Sequence, residues 1–276
     1  MDRLKFNSPA KINLFLRILG KREDGYHELA SLFQAVDLMD TLQIALSTQD
    51  ALTCTDPTLP TDQSNLVLKA ADLFRRKTGL TCGIKVHLEK KIPHEAGLGG
   101  GSSNAATTLW AMNQLTGVQA STAQLVEWAA EIGSDVPFFL SQGTSYCTGR
   151  GEKLLAKPPI ALAPLWIVKP LFGTSTPAVY GKVSLANLTP RDPLVALESF
   201  YSLKHHYFND LEAPAFEVMP ELAEVKSLLL SAGFTTVLLS GSGSSFFCIG
   251  DATPPTIPGC RFYPVKTVHR LLNDWY

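Results

Sequence analysis

Apolar and polar positions alternate from Lys11 to Ile18: Ile12, Leu14, Leu16 and Ile18 fall on one side, Lys11, Asn13, Phe15 and Arg17 on the other. A period of two predicts a half-buried strand and sets Lys11 beside Asn13 on the face opposite the aliphatic one. That pair is read either as part of a solvated outer face, the usual place for such side chains, or as a functional pair. The charged segment G-K-R-E-D-G-Y-H-E, bounded by Gly20 and Gly25, predicts a hairpin turn. Tyr26 and His27 leave it as adjacent rings that either pack or hold a planar ligand. Leu42, Ile44 and Leu46, and later Ile84, Val86 and Leu88, repeat the strand pattern, with a turn-rich stretch between Asp50 and Gln63.

Helical spacing appears first at Leu66, Ala70, Leu73 and Phe74. Ser64 or Asn65 is placed to cap that helix, Arg75, Arg76 and Lys77 crowd its last turn, and Gly79 stops it. A second helix carries Ala105, Leu109, Met112 and Leu115 before Gly117. Ser121 and Gln124 then form a capping box for a third, with Leu125, Trp128, Ala129 and Ile132 on one face before Gly133. In the following G-S-D-V-P-F-F, the simplest reading makes Ser134 or Asp135 the cap of a short helix. A capping acid can still act on a ligand when its carboxylate faces a cleft.

Three prolines between Ala156 and Pro164 mark the best domain boundary, dividing the chain into residues 1–156 and 157–276. Beyond it, Leu165 to Val168 predicts a buried strand and Leu171 to Tyr180 a loop. A helix from Pro220 carries Leu222, Val225 and Leu229 and stops at Gly233. Two short strands, Thr235 to Leu239 and Phe246 to Ile249, are joined by S-G-S-G-S-S, which reads as a hairpin turn. The fold class is α/β.

Between the strand ending near Leu88 and the second helix stands P-H-E-A-G-L-G-G-G-S-S-N-A-A, from Pro93 to Ala106. Ordering Gly97, Gly99, Gly100 and Gly101 is costly in backbone entropy. Bare peptide N–H groups running into a helix N-terminus offer a return, because they can crowd around an anion. The alternative is a flexible turn. A Walker loop needs Lys after its last glycine, where Ser102 stands. A dinucleotide fingerprint wants an acidic residue roughly 20 positions on, after a second strand, and no such strand pattern follows. The loop therefore reads as a phosphate cradle of another kind.

The 276 residues, 45% hydrophobic and 18% charged, suit a soluble globular protein of one large or two modest domains. A net charge of -1 gives no general attraction to nucleic acid or an acidic membrane. Five cysteines without a C-x-x-C pair suggest neither a disulfide framework nor a zinc site, and no metal ligands are assigned. The start M-D-R-L-K-F has no apolar signal core, and no run approaches the roughly 18 apolar residues of a membrane span. A cytoplasmic location is expected, with no membrane or nucleic-acid partner.

Three separated pieces coincide in order and spacing: P-A-K-I-N-L at Pro9 to Leu14, the P-x-x-x-G-L-G-G-G-S-S loop, and G-S-G-S-S near the C-terminus. Together they resemble the signature regions of the GHMP kinases, over most of the chain from about Pro9 to Phe247. The D-G-Y-H-E-L turn, G-S-D-V-P-F-F and N-D-L-E at Asn209 to Glu212 resemble the branch acting on a cytidine diphosphate-linked methylerythritol. His94 and Glu95 depart from the smaller or apolar residues usual before Ala96 and Gly97.

The resemblance implies a two-domain α/β fold: an N-terminal domain like ribosomal protein S5 domain 2, a C-terminal α/β sandwich and a cleft between them. It implies ATP along Pro93, Ala96, Gly97, Leu98, Gly99, Gly100, Gly101, Ser102, Ser103 and Asn104, with adenine near Asn65 and Leu66. Magnesium is expected to be carried mainly by the phosphates. Asp135 and Lys11 are the implied catalytic pair. Asn13, Tyr26, His27, Pro177, Tyr180, Gly241 and Ser242 are the implied substrate contacts, the rings around cytidine and Asn13 at the erythritol. The implied reaction phosphorylates the tertiary 2-hydroxyl of the small-molecule substrate, diphosphocytidyl methylerythritol, in the non-mevalonate isoprenoid route. The expected assembly is a monomer or weak homodimer. Kinases of homoserine or mevalonate are the alternatives within the family, and a small aliphatic alcohol needs no aromatic set such as Tyr26, His27 and Tyr180. A catalytically silent protein of this fold is the alternative outside the enzymes, and retention of Lys11, Asp135 and the loop glycines argues against it.

Overall fold

A computed structural model describes residues 3–276 apart from 163 and 203. Met1, Asp2, Ala163 and Leu203 lie outside the described residues, and with them the first two positions of M-D-R-L-K-F and one of the proline-rich stretch.

The hairpin expected from the Gly20–Gly25 turn is the backbone of the first half. Strand β1 (Leu4–Lys21) pairs antiparallel with β2 (His27–Ser47), closing with Lys21 opposite His27. Alternation at Leu42, Ile44 and Leu46 marks only the far end of β2. Its nearer part, L-A-S-L-F-Q-A-V over residues 29–36, is buried on both faces and so carries no alternation to read. The half-buried strand expected at β1 is corrected in the same way. Lys11 and Asn13 are 3% and 1% exposed, as deeply placed as Ile12 and Leu14 opposite them. The ladder also slips between Asn13 and Phe15, which breaks the simple alternation. Phe15 stacks on Phe208 and Phe200, at 5.4 and 6.1 Å between ring centroids.

The chain continues through β3 (Ala51–Cys54), α1 (Leu66–Thr78), β4 (Gly83–Glu89), α2 (Gly100–Thr116) and α3 (Thr122–Ile132). After a 3-10 turn at Pro137–Leu140 come β5 (Thr144–Gly149) and β6 (Lys153–Ala156). Asn65 caps α1 by accepting from the Val67 amide at 3.0 Å, and Gly79 ends it in the left-handed region. The Ser121–Gln124 capping box forms as expected. Helices α1, α2 and α3 bury Phe74, Leu109, Trp128 and their neighbours against Leu42, Ile44 and Val86 of the sheet. Each such side chain stabilises the fold by about 1.5–3 kcal/mol.

The second half contains β7 (Leu165–Pro170), α4 (Thr176–Gly181), α5 (Pro193–Ser199), β8 (Phe208–Asn209), α6 (Glu212–Val218) and α7 (Glu221–Ser231). It ends with β9 (Thr236–Leu239), β10 (Phe246–Ile249) and β11 (Cys260–Val265). The loop expected from Leu171 to Tyr180 is thus helical over its last part. Ser175 caps α4, and Pro177, which lacks an N–H, sits in the first turn where none is required.

Two sheets result. The first runs β3-β4-β2-β1-β8, with β5 pairing both β2 and β6; the second runs β11-β7-β10-β9. Strand β2 serves two partners on one edge, β5 along residues 29–34 and β4 along 41–47. The β9–β10 hairpin expected around S-G-S-G-S-S is present. A third apolar layer, including Ile12, Leu14, Phe15, Ile167 and Phe247, fills the space between the halves.

Candidate active site

The β1 backbone is tied to the glycine-rich loop: the Lys11 amide donates to the Leu98 carbonyl at 2.9 Å. That bond delivers the Lys11 side chain to the loop. Its ammonium donates to Asn13 Oδ1 at 2.8 Å and lies 3.5 Å from Asp135 Oδ2. The Asn13 amide in turn donates to Ser31 Oγ at 2.9 Å, so both of its ends are fixed. Lys11 also stands 5.0 Å from the Phe33 ring centroid, over its electron-rich face. Asp135 caps nothing. The short 3-10 turn Pro137–Leu140 has Val136 as its N-cap and no side-chain cap bond, and the carboxylate, about one third exposed, faces the cleft beside Lys11.

Helix α2 starts at Gly100, inside the glycine run rather than at the serines. Gly99 holds the N-cap position at φ 69° and supplies no capping side chain. Peptide N–H groups of the first turn, among them Gly100, Gly101 and Ser102, are therefore left to a ligand or water. A Cβ on Gly99 would meet the Phe139 ring at 2.9 Å and Lys11 Cγ at 3.2 Å, so only glycine lets the loop lie this close to the lysine.

The second glycine/serine turn closes the other side. Ser240 Oγ donates to the Gly97 carbonyl at 3.0 Å, and the Ser245 amide to that of Ala96 at 3.2 Å. A Cβ on Gly241 would stand 3.4 Å from both Asn13 Oδ1 and Lys11 Nζ. Ser242 is held to α4 through Thr176, hydroxyl to hydroxyl at 2.8 Å. The hairpin reading of this turn is right, and the turn is also part of the site.

A cleft of about 950 Å³ joins these parts. Its walls include every residue expected at the site except Ser103. The Ser103 hydroxyl accepts from Ser8 at 2.8 Å and is fully buried, because that position of α2 faces the sheet. Asn104 is committed as well, its amide donating to Asp40 and Ser8, both at 2.9 Å. Asn65 spends its side chain on the α1 cap and on the Pro60 carbonyl. Leu66, beside it, lies 3.4 Å from where a Cβ of Gly101 would be.

At the far end, His27 and Tyr180 are in ring contact with centroids 5.3 Å apart. Tyr26 is the outer ring, 55% exposed. Burial, and then the Asp135 charge, push the Tyr180 phenol well above its usual range. Burial, and then Lys21, pull His27 below the ordinary imidazole value. Pro177 is exposed on the lip.

Two residues escaped the sequence reading. Asp40, fully buried, accepts from Lys90 at 2.7 Å, from Asn104, and from the Lys91 and Ile92 amides at 2.7 and 2.8 Å. It thereby anchors the segment leading into the glycine loop. No local pattern marks such a partner, which lies fifty residues away. Arg150 lines the cleft between two glycines, and its G-R-G-E context was a signal that could have been noticed.

Comparison with known proteins agrees with this arrangement. Residues 65–143 match the GHMP kinases N terminal domain and residues 195–256 the GHMP kinases C terminal. A 4-diphosphocytidyl-2-C-methyl-D-erythritol kinase of Protochlamydia amoebophila is 53% identical across the whole chain and 94% of its own length. The chloroplastic kinase of that name from Arabidopsis thaliana is 46% identical, over all of this chain and 77% of its own. A crystal structure titled 4-(cytidine 5'-diphospho)-2C-methyl-D-erythritol kinase superposes with a TM-score of 0.78 at 35% identity, covering 97% of this chain and all of that one. A homoserine kinase from Cytophaga hutchinsonii, at 21% identity and TM-score 0.68 over 98% of this chain and 96% of its own, shares the fold. The chain belongs to the GHMP kinases, in the branch of the 4-diphosphocytidyl-2-C-methyl-D-erythritol kinases.

Proposed function

We propose that this protein transfers the γ-phosphate of ATP to the 2-hydroxyl of 4-diphosphocytidyl-2-C-methyl-D-erythritol, a cytoplasmic step of non-mevalonate isoprenoid synthesis. The observation that carries the reading is a single cleft with three parts. It has an uncapped, glycine-lined helix N-terminus, a lysine–aspartate pair 3.5 Å apart beneath it, and a ring set at its far end.

Phosphoryl transfer is mostly positioning and neutralisation of charge on the equatorial oxygens. The first-turn amides of α2 and the Lys11 ammonium supply positive potential at the point where the γ-phosphate meets the acceptor. Asp135 accepts the hydrogen bond of the attacking hydroxyl and takes its proton as the new bond forms. Lys11 lies 3.5 Å from that carboxylate and is itself held by Asn13. Cytidine stacks against Tyr180 and His27, with Tyr26 as the outer ring, and Asn13 and Gly241 meet the erythritol.

Among the described residues no cluster of three His, Cys, Asp or Glu side chains is placed to hold a metal ion. In this reading magnesium is carried by the nucleotide's phosphate oxygens, where it would supply further charge neutralisation.

The test is a kinase assay with purified protein, ATP and magnesium against a panel of alcohols. The diphosphocytidyl substrate should be phosphorylated at least about 100-fold more efficiently than homoserine or mevalonate, a ratio that buried polar groups of a dedicated site can supply. Comparable rates on the small alcohols would overturn the assignment.

A further inference from the structure

The cleft has a ring end and a reaction end, and the proposed substrate must reach both. The names of the relatives state its chemistry: cytidine joined to the alcohol through a diphosphate. With the base at Tyr180 and the hydroxyl at Asp135, two phosphate charges are left between them. Desolvated phosphate oxygens need donors, so some cation should face that gap.

Most cations of the cleft are already engaged. Lys11 is held by Asn13 and Asp135, and Lys90 by Asp40 and the Ile92 carbonyl. Lys21 is exposed at the end of β1, on the His27 side. Arg150 differs. It is half-buried, and among the described residues it has no carboxylate within 4.0 Å of its guanidinium.

Its position bridges the two ends. The guanidinium lies over the Tyr26 ring, 4.9 Å from the centroid. Its chain neighbour Gly151 backs onto the reaction centre, where an added Cβ would stand 3.7 Å from Asp135 Oδ1. The turn that carries it is fixed: the Arg150 amide donates to Glu152 at 2.6 Å, and the flanking Gly149 and Gly151 have φ of 74° and 115°. A planar fork presented from a fixed turn suits two phosphate groups better than a point charge. The triphosphate, by contrast, is assigned to the first-turn amides of α2, which Arg150 does not supply.

We propose that Arg150 binds the diphosphate that links nucleoside to alcohol, and so makes the site select a nucleotide-borne alcohol over a free one. This rests on the kinase reading above. It is tested by calorimetric titration of the full chain with cytidine 5'-diphosphate and with cytidine, alongside KM for ATP. The unaltered protein should bind the diphosphate more tightly than the nucleoside. Arg150→Ala should weaken the diphosphate about 10- to 100-fold and leave cytidine and ATP within about twofold. Arg150→Lys should regain part of the loss. Equal weakening of cytidine and its diphosphate, or an equal rise in KM for ATP, would overturn the proposal. Unaltered protein that binds neither cytidine ligand would instead remove the substrate reading on which it stands, and the role of Arg150 with it.

Discussion

A Cβ placed on Gly97 would lie 1.9 Å from the carbonyl oxygen of Ser240. Two loops more than 140 residues apart in sequence therefore touch backbone to backbone, and the glycine's φ of 71° is itself disfavoured for any other residue. Gly97→Ala is expected to cost about 2–4 kcal/mol through strain and a forced separation of the loops. That should lower the melting temperature by at least about 4 °C and raise KM for both substrates. Gly101→Ala, whose new methyl meets only Leu66 at 3.4 Å, is the control and should melt like the unaltered protein. Equal melting of the two variants would show that the contact is not tight.

Asp135 faces Lys11 across 3.5 Å and makes no capping bond, so its carboxylate is free for the acceptor hydroxyl. Asp135→Asn keeps the shape and removes the base. Turnover should fall about 10²- to 10⁴-fold, with KM for ATP changed by less than about threefold, since uniform binding is untouched. Lys11→Met should lose a similar factor. The double variant should lose far less than the product, because the two act as a unit. Steady-state kinetics on the four proteins decides it, and near-normal turnover in Asp135→Asn would remove the role.

Much of this was legible beforehand, and the gaps have physical reasons. Caps and turns are local chemistry, so Asn65, Gly79, Ser121 with Gln124, and Gly20 to Gly25 could be read directly. Most residues facing one cleft could be named because the three signature pieces occur together with the D-G-Y-H-E-L and G-S-D-V-P-F-F segments. Burial of Lys11 and Asn13 could not be read, since a strand covered on both faces loses the contrast that makes a pattern visible. Nor could Tyr180 be placed on a helix: a six-residue helix has too few positions for a period to show. Asp40 was invisible because its four donors come from residues 90, 91, 92 and 104.

That buried carboxylate supports the glycine-rich loop from behind. Lys90 Nζ, paired with it at 2.7 Å, stands 3.1 Å from where a Cβ of Gly100 would be. Asp40→Ala would leave the Lys91 and Ile92 amides without their side-chain acceptor and the Lys90 ammonium without its counter-charge. Breaking one side of a buried ion pair costs about 3–5 kcal/mol. A denaturant midpoint shifted by that amount at unchanged slope is expected, with a rise in KM for ATP. Asp40→Asn, which keeps one acceptor oxygen, should lose less. A midpoint within experimental error of the parent would mean the network carries little.

Tyr180 should discriminate between the two substrates. Its ring touches His27 at the far end of the cleft from the glycine loop. Base stacking on an aromatic side chain is worth about 1–3 kcal/mol, so Tyr180→Ala should raise KM for the diphosphocytidyl substrate about 5- to 100-fold. Tyr180→Phe should restore most of it if the ring is what matters. KM for ATP should not follow. Equal effects on both substrates would remove the cytidine pocket from this end of the cleft.

His27 gives the site a pH dependence with a definite sign. Burial first, and the charge of Lys21 second, lower its pKa in the folded protein below the ordinary value of about 6.5, so the neutral ring is favoured at pH 7. A depressed imidazole means that the unfolded chain binds the proton more tightly. Its contribution to stability is therefore complete above that ordinary value and declines as pH falls through the folded one. Binding should follow the same direction. The neutral ring offers one donor and one acceptor to the edge of a base, whereas the imidazolium offers donors only. KM for the diphosphocytidyl substrate should accordingly rise as pH is lowered from about 7 to about 5.5, while KM for ATP changes much less. His27→Gln should bind the substrate more weakly at pH 8 but show a flatter profile below 7. A profile in His27→Gln as steep as that of the unaltered protein would transfer the titration to another group.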